Sequence, residues 1–398
     1  MISRTMQQQV NSSSIIRAMF EEGKRLSALY GADNVYDFSL GNPNVEPPAE
    51  VKQAIMDILN EENSTTVHGY MNNSGFEDVR GAIAASLNQR FATGFAADNI
   101  LMTVGAAGGL NVIFKTLLNP EDEVLTFAPF FGEYRNYVQN YQGQLIVVSP
   151  NTKDFQPNLE ELKEKISPRT KAVLINSPNN PTGVVYSAET IAALVDILRA
   201  KQEEYGTVIY LIGDEPYREL AYDQVEVPYL TKYYENTIVG YSYSKSLSLP
   251  GERIGYLVIP REAADYENLI AAANIANRIL GFVNAPSLFQ RVIAKCLDAQ
   301  VNLDSYNRNR ELLYNALVSY GYQCIKPEGA FYLFIKTPLE NDLEFCTLAK
   351  SKNILIVPGT SFACPGYARI AYCVAYETIE RALPGFEALI NEVSWASA

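Results

Sequence analysis

The sequence is poor in the side chains that most often bind metals or carry histidine-based catalysis. Among 398 residues it has one histidine, His68, one tryptophan and five cysteines. A single histidine excludes two-histidine metal sites and leaves only one residue of this type as a general base. We therefore expect Lys, Tyr, Asp or Glu to carry out most proton transfer if the protein is an enzyme.

The cysteines give no sign of a disulfide framework. Their number is odd and none forms a Cys-x-x-Cys pair. All five lie in the C-terminal part of the chain, at Cys296, Cys324, Cys346, Cys364 and Cys373. We expect reduced thiols, as in a cytoplasmic protein, and neither disulfides nor a structural metal site.

Basic residues and long apolar runs are also scarce. Lys and Arg number 32 against 45 Asp and Glu, which gives a formal net charge of −13 and argues against the broad basic face that duplex nucleic acid requires. The start, MISRTMQQQV, lacks the apolar core of a signal peptide, and no run approaches the ~18 apolar residues of a membrane span. These absences predict a cytoplasmic protein with small-molecule partners, no nucleic acid and no membrane.

Apolar residues are present in quantity, at 47% of the chain against 19% charged residues. This balance predicts a folded protein rather than a disordered one. With domains of roughly 150 residues, the length predicts two to three domains.

Short apolar runs alternate with helical stretches between residues 100 and 257. This alternation predicts an α/β fold whose large domain is built on a mainly parallel, seven-stranded sheet covered by helices. The candidate strands are residues 100–104, 123–127, 145–148, 172–176, 208–213, 237–241 and 254–259.

The two ends of the chain have a different pattern. Helices are expected at residues 14–30, 49–59 and 76–91, with a loop at 68–75. After about residue 285 we expect a smaller α+β domain, with one long helical segment to residue 319, the runs FYLFI, ILIV and ARIAYCVA, and helices near 343–350 and at the end. The expected division is an N-terminal segment (1–45) joining the small domain, a large cofactor-binding domain (46–285) and a small C-terminal domain (286–398).

Two turns after predicted strands are candidates for ligand binding, because parallel sheets bind ligands beyond the carboxyl ends of their strands. In Gly105-Ala106-Ala107 the side chains are small enough for an anion to reach backbone N–H groups at a helix start. In Asn180-Pro181-Thr182-Gly183 the rigid turn presents an amide with donors and an acceptor. Close packing or a plain turn is the alternative for each.

Two further turns carry charged side chains. The run VIYLIG ends at Asp214, followed by Tyr217, and a buried carboxylate there requires a cationic partner. Lys245 lies among hydroxyl groups after Ser242, and Arg253 follows a tight Pro-Gly turn. This arrangement predicts an enclosed anion site in which the lysine is an amine nucleophile toward an aldehyde.

Taken in order, these segments resemble the class I/II pyridoxal-phosphate-dependent aminotransferases, the aspartate aminotransferase family of fold type I. The resemblance covers nearly the whole chain and rests on Gly105-Ala106-Ala107, Asn180-Pro181-Thr182-Gly183, Asp214-x-x-Tyr217, Ser242-x-x-Lys245 and Arg253. It implies a soluble transaminase with pyridoxal 5'-phosphate (PLP) as its cofactor. It also implies an amino acid and a 2-oxo acid as substrates, in a ping-pong cycle through a lysine Schiff base.

The resemblance implies catalytic roles for three residues. Lys245 matches the Schiff-base lysine that also moves the proton, and Asp214 matches the acid that keeps the pyridine nitrogen protonated. Tyr217, together with Asn180, matches the pair that hydrogen-bonds the phenolic oxygen of the cofactor.

The same resemblance assigns the remaining cofactor contacts. The backbone of Gly105, Ala106 and Ala107, the Ser242 hydroxyl and the Arg253 guanidinium would share the phosphate. Many relatives have Ser, Thr or Lys in that first loop, so here backbone amides, Ser242 and Arg253 must contribute more. Phe131, in Pro129-Phe130-Phe131, matches the ring that stacks on the pyridine.

Three residues implied by the resemblance lie outside the large domain or in its first loop. Tyr70 matches the tyrosine that reaches the phosphate across a subunit boundary, which implies a homodimer with shared active sites. Arg369 matches the arginine that binds the substrate α-carboxylate, because its planar fork pairs both oxygens. The main chain near Gly41 matches the segment that closes over that carboxylate. Asn180 is expected to contact the substrate as well as the cofactor.

Other functions remain open at this stage. The same residues suit a PLP-dependent C–S β-lyase or another Cα-carbanion enzyme, and a non-enzymatic ligand sensor or a nucleotide-binding module is an alternative of a different class. The amino donor and the acceptor are not determined. Arg278 lies near the region of a second substrate cation but does not align with it, and His68 fits either a surface residue or a loop residue near the site.

Overall fold

The computed structural model describes residues 2–11 and 15–393. Its strands are β1 (Tyr36–Asp37), β2 (Ile100–Thr103), β3 (Glu123–Phe127), β4 (Gln144–Val148), β5 (Thr170–Asn176), β6 (Tyr210–Asp214), β7 (Thr237–Ser242), β8 (Gly255–Val258), β9 (Gln323–Cys324), β10 (Tyr332–Lys336), β11 (Ile354–Leu355), β12 (Val357–Pro358) and β13 (Tyr367–Ala371).

The helices connect and cover these strands. They are α1 (Arg4–Asn11), α2 (Ile15–Tyr30), α3 (Ala49–Glu61), α4 (Ser64–Val67), α5 (Glu77–Phe91), α6 (Gly105–Leu117), α7 (Glu133–Gln139), α8 (Leu159–Lys165), α9 (Ala188–Tyr205), α10 (Tyr243–Ser246), α11 (Tyr266–Ile279), α12 (Ser287–Lys295), α13 (Leu303–Ser319), α14 (Asp342–Ser351) and α15 (Tyr376–Glu392). In the described part of the chain, no helix has both the length and the apolar character that crossing a membrane requires.

Seven strands form the large sheet, in the order β2-β8-β7-β6-β5-β3-β4. The five strands β4, β3, β5, β6 and β7 run parallel to one another, whereas β8 runs antiparallel to both β7 and β2. The predicted α/β fold with a mainly parallel seven-stranded sheet is therefore confirmed.

The large sheet is buried on both faces. Along β5, Ala172 and Leu174 belong to the core on the side of α6 and α11, whereas Val173 and Ile175 belong to the core on the side of α8 and α9. Alternate side chains of one strand thus enter two apolar layers, which explains the unbroken apolar run from Ala172 to Ile175. Each fully buried aliphatic side chain of this kind contributes roughly 1.5–3 kcal/mol.

The C-terminal part of the chain forms a smaller α+β unit around a four-stranded antiparallel sheet in the order β12-β13-β10-β9. Its core contains Leu313 of α13, Phe345 of α14 and Phe386 of α15. The N-terminal segment joins this unit, because β1 pairs in parallel with β11.

The prediction of one helical segment up to residue 319 was wrong. The segment contains two helices, α12 and α13, separated by residues 296–302. The Asn302 side chain accepts a hydrogen bond from the Asp304 N–H and so begins a new helix, because local side-chain bonds to the backbone compete with helix continuation. The predicted helix at 14–30 is present as α2 from Ile15, and Ser14 lies outside the described residues.

Candidate active site

The carboxyl ends of the parallel strands meet at one edge of the large sheet. Asn176 of β5 lies opposite Asp214 of β6, and β7 ends beside them at Ser242. The turns after these strands, together with residues of the smaller unit, enclose a cavity of about 280 Å³. Its lining includes many of the predicted site residues, namely Gly41, Ala106, Ala107, Phe131, Asn180, Asp214, Tyr217, Ser242, Lys245, Arg253 and Arg369.

Asp214 is a buried carboxylate with one oxygen bound and one free. Its Oδ2 accepts a 2.5 Å hydrogen bond from the Tyr134 hydroxyl, whereas Oδ1 is buried without a partner in the described residues. Burial raises the pKa of Asp214 to about 6; the Tyr134 bond lowers it, and the Glu215 charge raises it. Because an unpartnered buried acceptor is costly, Oδ1 is available to a donor that enters the cavity.

Lys245 lies on α10, directly after β7. Its Nζ donates a 2.7 Å hydrogen bond to the Gly41 carbonyl and lies 5.2 Å from the centre of the Phe331 ring. Burial lowers the pKa of Lys245 to about 8. Since the usual lysine pKa is near 10.4, a larger share of this amine is neutral near pH 7 than in an exposed lysine.

One end of the cavity is suited to an anion. Gly105 begins α6 with φ +68°, and a Cβ at this position would lie 2.8 Å from an Arg253 guanidinium nitrogen. Ser242 caps α10, and its hydroxyl shares a 2.7 Å hydrogen bond with Ser244. A guanidinium, two hydroxyls and the start of a 13-residue helix together provide positive potential and hydrogen-bond donors.

Arg369 of β13 lines another side of the cavity, where the Asn180 side chain and the Ser39 main chain hold its guanidinium. Its NH1 donates to Asn180 Oδ1 at 2.9 Å and its NH2 to the Ser39 carbonyl at 2.6 Å. The guanidinium lies over the rings of Tyr332 and Phe362, at 4.6 and 4.9 Å from their centres. Its Nε is buried without a partner in the described part of the chain, so Arg369 keeps a donor for a carboxylate.

Tyr217 follows Asp214 by three residues on the turn after β6. Its hydroxyl shares a 2.8 Å hydrogen bond with the Tyr332 hydroxyl, and burial raises the pKa of Tyr217. Phe131 lines the same cavity and meets the Tyr134 ring edge-on at 5.7 Å.

Four residues considered from the sequence do not line this cavity. Tyr70 is 94% exposed, and His68 and Arg278 are exposed as well. Gly105 is not part of the lining but lies against Arg253.

Sequence reasoning missed three residues that shape the site: Tyr134, Tyr332 and Asn176. Asn176 donates from Nδ2 to the Asp214 carbonyl and accepts from the Asn180 N–H, both at 2.7 Å. Its place at the end of a predicted strand was a usable signal. Tyr134 and Tyr332 come from α7 and β10, and neither has a local sequence pattern that indicates contact with Asp214 or Tyr217.

Comparison with known proteins places this site in context. The family model described as aminotransferase class I and II matches residues 33–386. The aspartate aminotransferase of Thermotoga maritima is 29% identical over 395 residues, covering 98% of this chain and 100% of that protein. A crystal structure of an amino transferase from Eubacterium rectale superposes with a TM-score of 0.96 at 46% identity, covering 99% of both chains. The aspartate aminotransferase of Thermus thermophilus with maleate gives 0.86 at 26% identity, over 98% of this chain and 100% of that one.

Proposed function

The chain belongs to the aminotransferase class I and II family, and on that basis we propose that its active site is the cavity containing Lys245 and Asp214. The protein is a PLP-dependent transaminase of fold type I. The residues that carry out the reaction, the subunit arrangement and the cellular location are part of the proposal.

One observation carries the assignment: Lys245 and Asp214, whose Oδ1 has no partner in the described residues, line the same cavity. The residues present fit PLP. An amine is available for its aldehyde, a buried carboxylate oxygen for its protonated ring nitrogen, and the anion site beside Arg253 for its phosphate.

The other contacts follow from which atoms remain available. Asn180 Oδ1 is engaged by Arg369, so its Nδ2 is the donor left for the phenolic oxygen of the cofactor, beside the Tyr217 hydroxyl. Phe131 would cover one ring face. Ser242 and the N–H groups of Ala106 and Ala107 would join Arg253 at the phosphate.

When bound, PLP supplies an electron-withdrawing ring that stabilises negative charge on the substrate Cα. Lys245 Nζ takes the proton from Cα of the amino acid and, with the 2-oxo acid, delivers one to Cα. Arg369 holds the α-carboxylate and so fixes the Cα–H bond relative to this amine. Ionised Asp214 keeps its partner nitrogen protonated.

Substrate closure involves the N-terminal segment. Ser39 and Gly41 already bond to Arg369 and Lys245 through their carbonyls, so carboxylate binding at Arg369 is coupled to this segment. We include in the proposal the division into residues 1–45, 46–285 and 286–398, a cytoplasmic location, and a homodimer in which Tyr70 reaches the partner's phosphate site.

Replacing Lys245 tests the assignment. Lys245→Ala should lower kcat by at least about a thousandfold, since both the amine nucleophile and the proton carrier are lost. Borohydride reduction of the loaded wild type should attach the cofactor to the peptide containing Lys245, as mass spectrometry would detect. Lys232→Ala, at an exposed position, is the matched control and should keep wild-type turnover. Near-normal turnover by Lys245→Ala would refute the proposal.

A further inference from the structure

The Tyr332 side chain contacts two functional groups of the cavity at once. Its hydroxyl shares a 2.8 Å hydrogen bond with the Tyr217 hydroxyl, and its ring centre lies 4.6 Å from Cζ of Arg369. Tyr332 is 2% exposed and lines the cavity. It comes from β10, whereas Tyr217 follows β6. One residue of the smaller unit therefore connects the cofactor side of the site to the side that binds the substrate α-carboxylate.

The position of the Tyr332 ring is fixed on several sides. The Tyr217 ring meets it nearly edge-on, with 5.7 Å between the centres, and the Phe331 ring lies 5.0 Å away. A Cβ on Gly41 would clash with the Tyr332 hydroxyl. Arg369 on β13 is a diagonal cross-strand neighbour of Tyr332, a separation that long side chains bridge. Tyr332 therefore has little freedom to leave either contact.

The two bonded hydroxyls hold two protons between them. Burial raises the pKa of Tyr217 and raises that of Tyr332 to about 12, so both stay protonated near neutral pH. The ionised phenolic oxygen of the cofactor is an acceptor only, and Tyr217 has one proton to donate. When Tyr217 donates that proton to the cofactor, the bond between the tyrosines must run from Tyr332 to Tyr217. A hydroxyl that accepts one hydrogen bond becomes a stronger donor of the next.

Resting on the proposed function, we propose that Tyr332 is a positioning residue whose hydroxyl directs the Tyr217 proton to the cofactor and whose ring holds the Arg369 guanidinium for the substrate. The hydroxyl acts through Tyr217, because it strengthens the bond from Tyr217 to the phenolic oxygen. The ring acts through Arg369, because a buried guanidinium is attracted to the face of an aromatic ring. The two parts are separable, since Tyr332→Phe removes only the hydroxyl and Tyr332→Leu removes the ring as well.

The role of the hydroxyl is tested by the pH dependence of the cofactor absorbance band, without turnover. The band reports whether the nitrogen that links Lys245 to the cofactor is protonated. A donor to the neighbouring phenolic oxygen withdraws negative charge and so lowers the pKa of that nitrogen. Tyr332→Phe should therefore raise the midpoint of the titration by at least about 0.3 pH unit. Tyr217→Phe should raise it at least as far, and adding Tyr332→Phe to Tyr217→Phe should change nothing further.

The charged surroundings of the two hydroxyls are the same in wild type and Tyr332→Phe. The titratable groups beside the pair are Lys245, whose Nζ lies 6.0 Å from the centre of the Tyr217 ring, Asp214, Arg369 and Cys373. The substitution alters none of them, so a shifted midpoint reports the lost hydroxyl.

Tyr222→Phe is the matched control. It removes another buried tyrosine hydroxyl, which donates to the Ala330 carbonyl at 2.6 Å, and its titration should keep the wild-type midpoint. An unchanged midpoint in Tyr332→Phe, an equal shift in the control, or the same shift on the Tyr217→Phe background would overturn the role of the hydroxyl. A wild type that forms no absorbing complex with PLP would instead refute the proposed function, and this inference with it.

The role of the ring is tested by KM for the amino acid that the wild type turns over fastest. Tyr332→Phe should keep this KM within about threefold, since the ring beside Arg369 remains. Tyr332→Leu, folded and loaded with PLP, should raise it at least about fivefold, because the guanidinium loses the aromatic face. An unchanged KM in Tyr332→Leu, or an equal rise in both variants, would overturn the role of the ring in placing Arg369.

Discussion

A single hydroxyl orients the carboxylate on which the site depends. Tyr134 donates to one oxygen of Asp214, which restrains the orientation of the acid, and the other oxygen has no partner in the described residues. The bond also favours the ionised form, which burial opposes. Tyr134 is thus a positioning residue that acts through Asp214.

We expect Tyr134→Phe to weaken PLP binding in a pH-dependent way. Without the hydrogen bond the pKa of Asp214 rises further above about 6, so the carboxylate becomes protonated at a higher pH. Bonds to charged groups contribute about 1.5–3 kcal/mol, so the Kd for PLP measured by absorbance at pH 6 should rise at least about tenfold. At pH 8 the increase should be smaller.

Tyr141→Phe is the matched control. Tyr141 lies two residues after the end of α7, and its hydroxyl donates to Asn111 rather than to Asp214. The Kd of Tyr141→Phe for PLP should equal the wild-type value at both pH values. The same Kd for Tyr134→Phe and wild type at pH 6 would contradict the positioning role.

The residues that the sequence predicts well are those whose neighbours are local. Asp214 ends β6 and Lys245 follows β7 directly, so their placement at one sheet edge follows from the parallel pairing of these strands. Arg253 precedes the antiparallel strand β8 and reaches the same edge from the opposite direction. Tyr134 and Tyr332 reach the site only through the packing of α7 and β10. Tertiary contacts of this kind leave no spacing pattern in one sequence.

At the scale of elements, the start of α6 requires glycine for two separate reasons. Gly105 adopts φ +68°, and a Cβ there would meet the Arg253 guanidinium. Gly206, which ends α9, has φ +64° with nothing near its missing side chain. An alanine at Gly206 therefore introduces backbone strain alone, whereas an alanine at Gly105 introduces backbone strain and also displaces Arg253.

Gly105→Ala should raise the Kd for PLP by at least about tenfold, because Arg253 must move away from the anion site. Gly206→Ala should cost about 1 kcal/mol of stability and leave the Kd unchanged. Thermal unfolding and absorbance titration measure the two effects. Equal Kd values for both variants would show that Arg253 is not held by this contact.

Element boundaries were predictable where apolar periodicity is strong. All seven strands of the large sheet begin or end within a residue or two of expectation, and β3 matches at both ends. The break between α12 and α13 was not predictable from periodicity, because buried Cys296 and Val301 continue the apolar pattern through the turn. Likewise, ILIV divides between β11 and β12, which pair in different sheets.

At the scale of the whole molecule, Tyr70 is unusual because its loop is held by hydrogen bonds while its side chain is almost fully exposed. The loop is held by Asn277, which donates to the Asn73 carbonyl at 3.0 Å, and by Asn284, which donates to the Asn72 carbonyl at 2.8 Å. Tyr70 itself is 94% exposed. A large ring projecting from an ordered loop fits a contact with a second subunit.

Mixing Lys245→Ala subunits with Tyr70→Phe subunits, which lack the hydroxyl proposed to reach the partner's phosphate site, tests this arrangement. If each active site takes Lys245 from one subunit and Tyr70 from the other, a dimer of one Lys245→Ala and one Tyr70→Phe subunit has both substitutions in one site. Its other site has both wild-type residues. Random hybrids should therefore recover about a quarter of wild-type activity after unfolding and joint refolding. Each variant refolded alone is the control. No recovery, with hybrids demonstrated by mass, would place Tyr70 outside the partner's site.

The pairing of β1 with β11 joins Tyr36 to Ile354 and Asp37 to Leu355. During synthesis at about 5–20 residues per second, the first strand leaves the ribosome roughly twenty to sixty seconds before its partner. Throughout that interval its backbone N–H and C=O groups have no ladder to join, and an unpaired strand is prone to wrong associations. The contact between the N-terminal segment and the smaller unit through β1 and β11 therefore forms only after residue 355 has been synthesised.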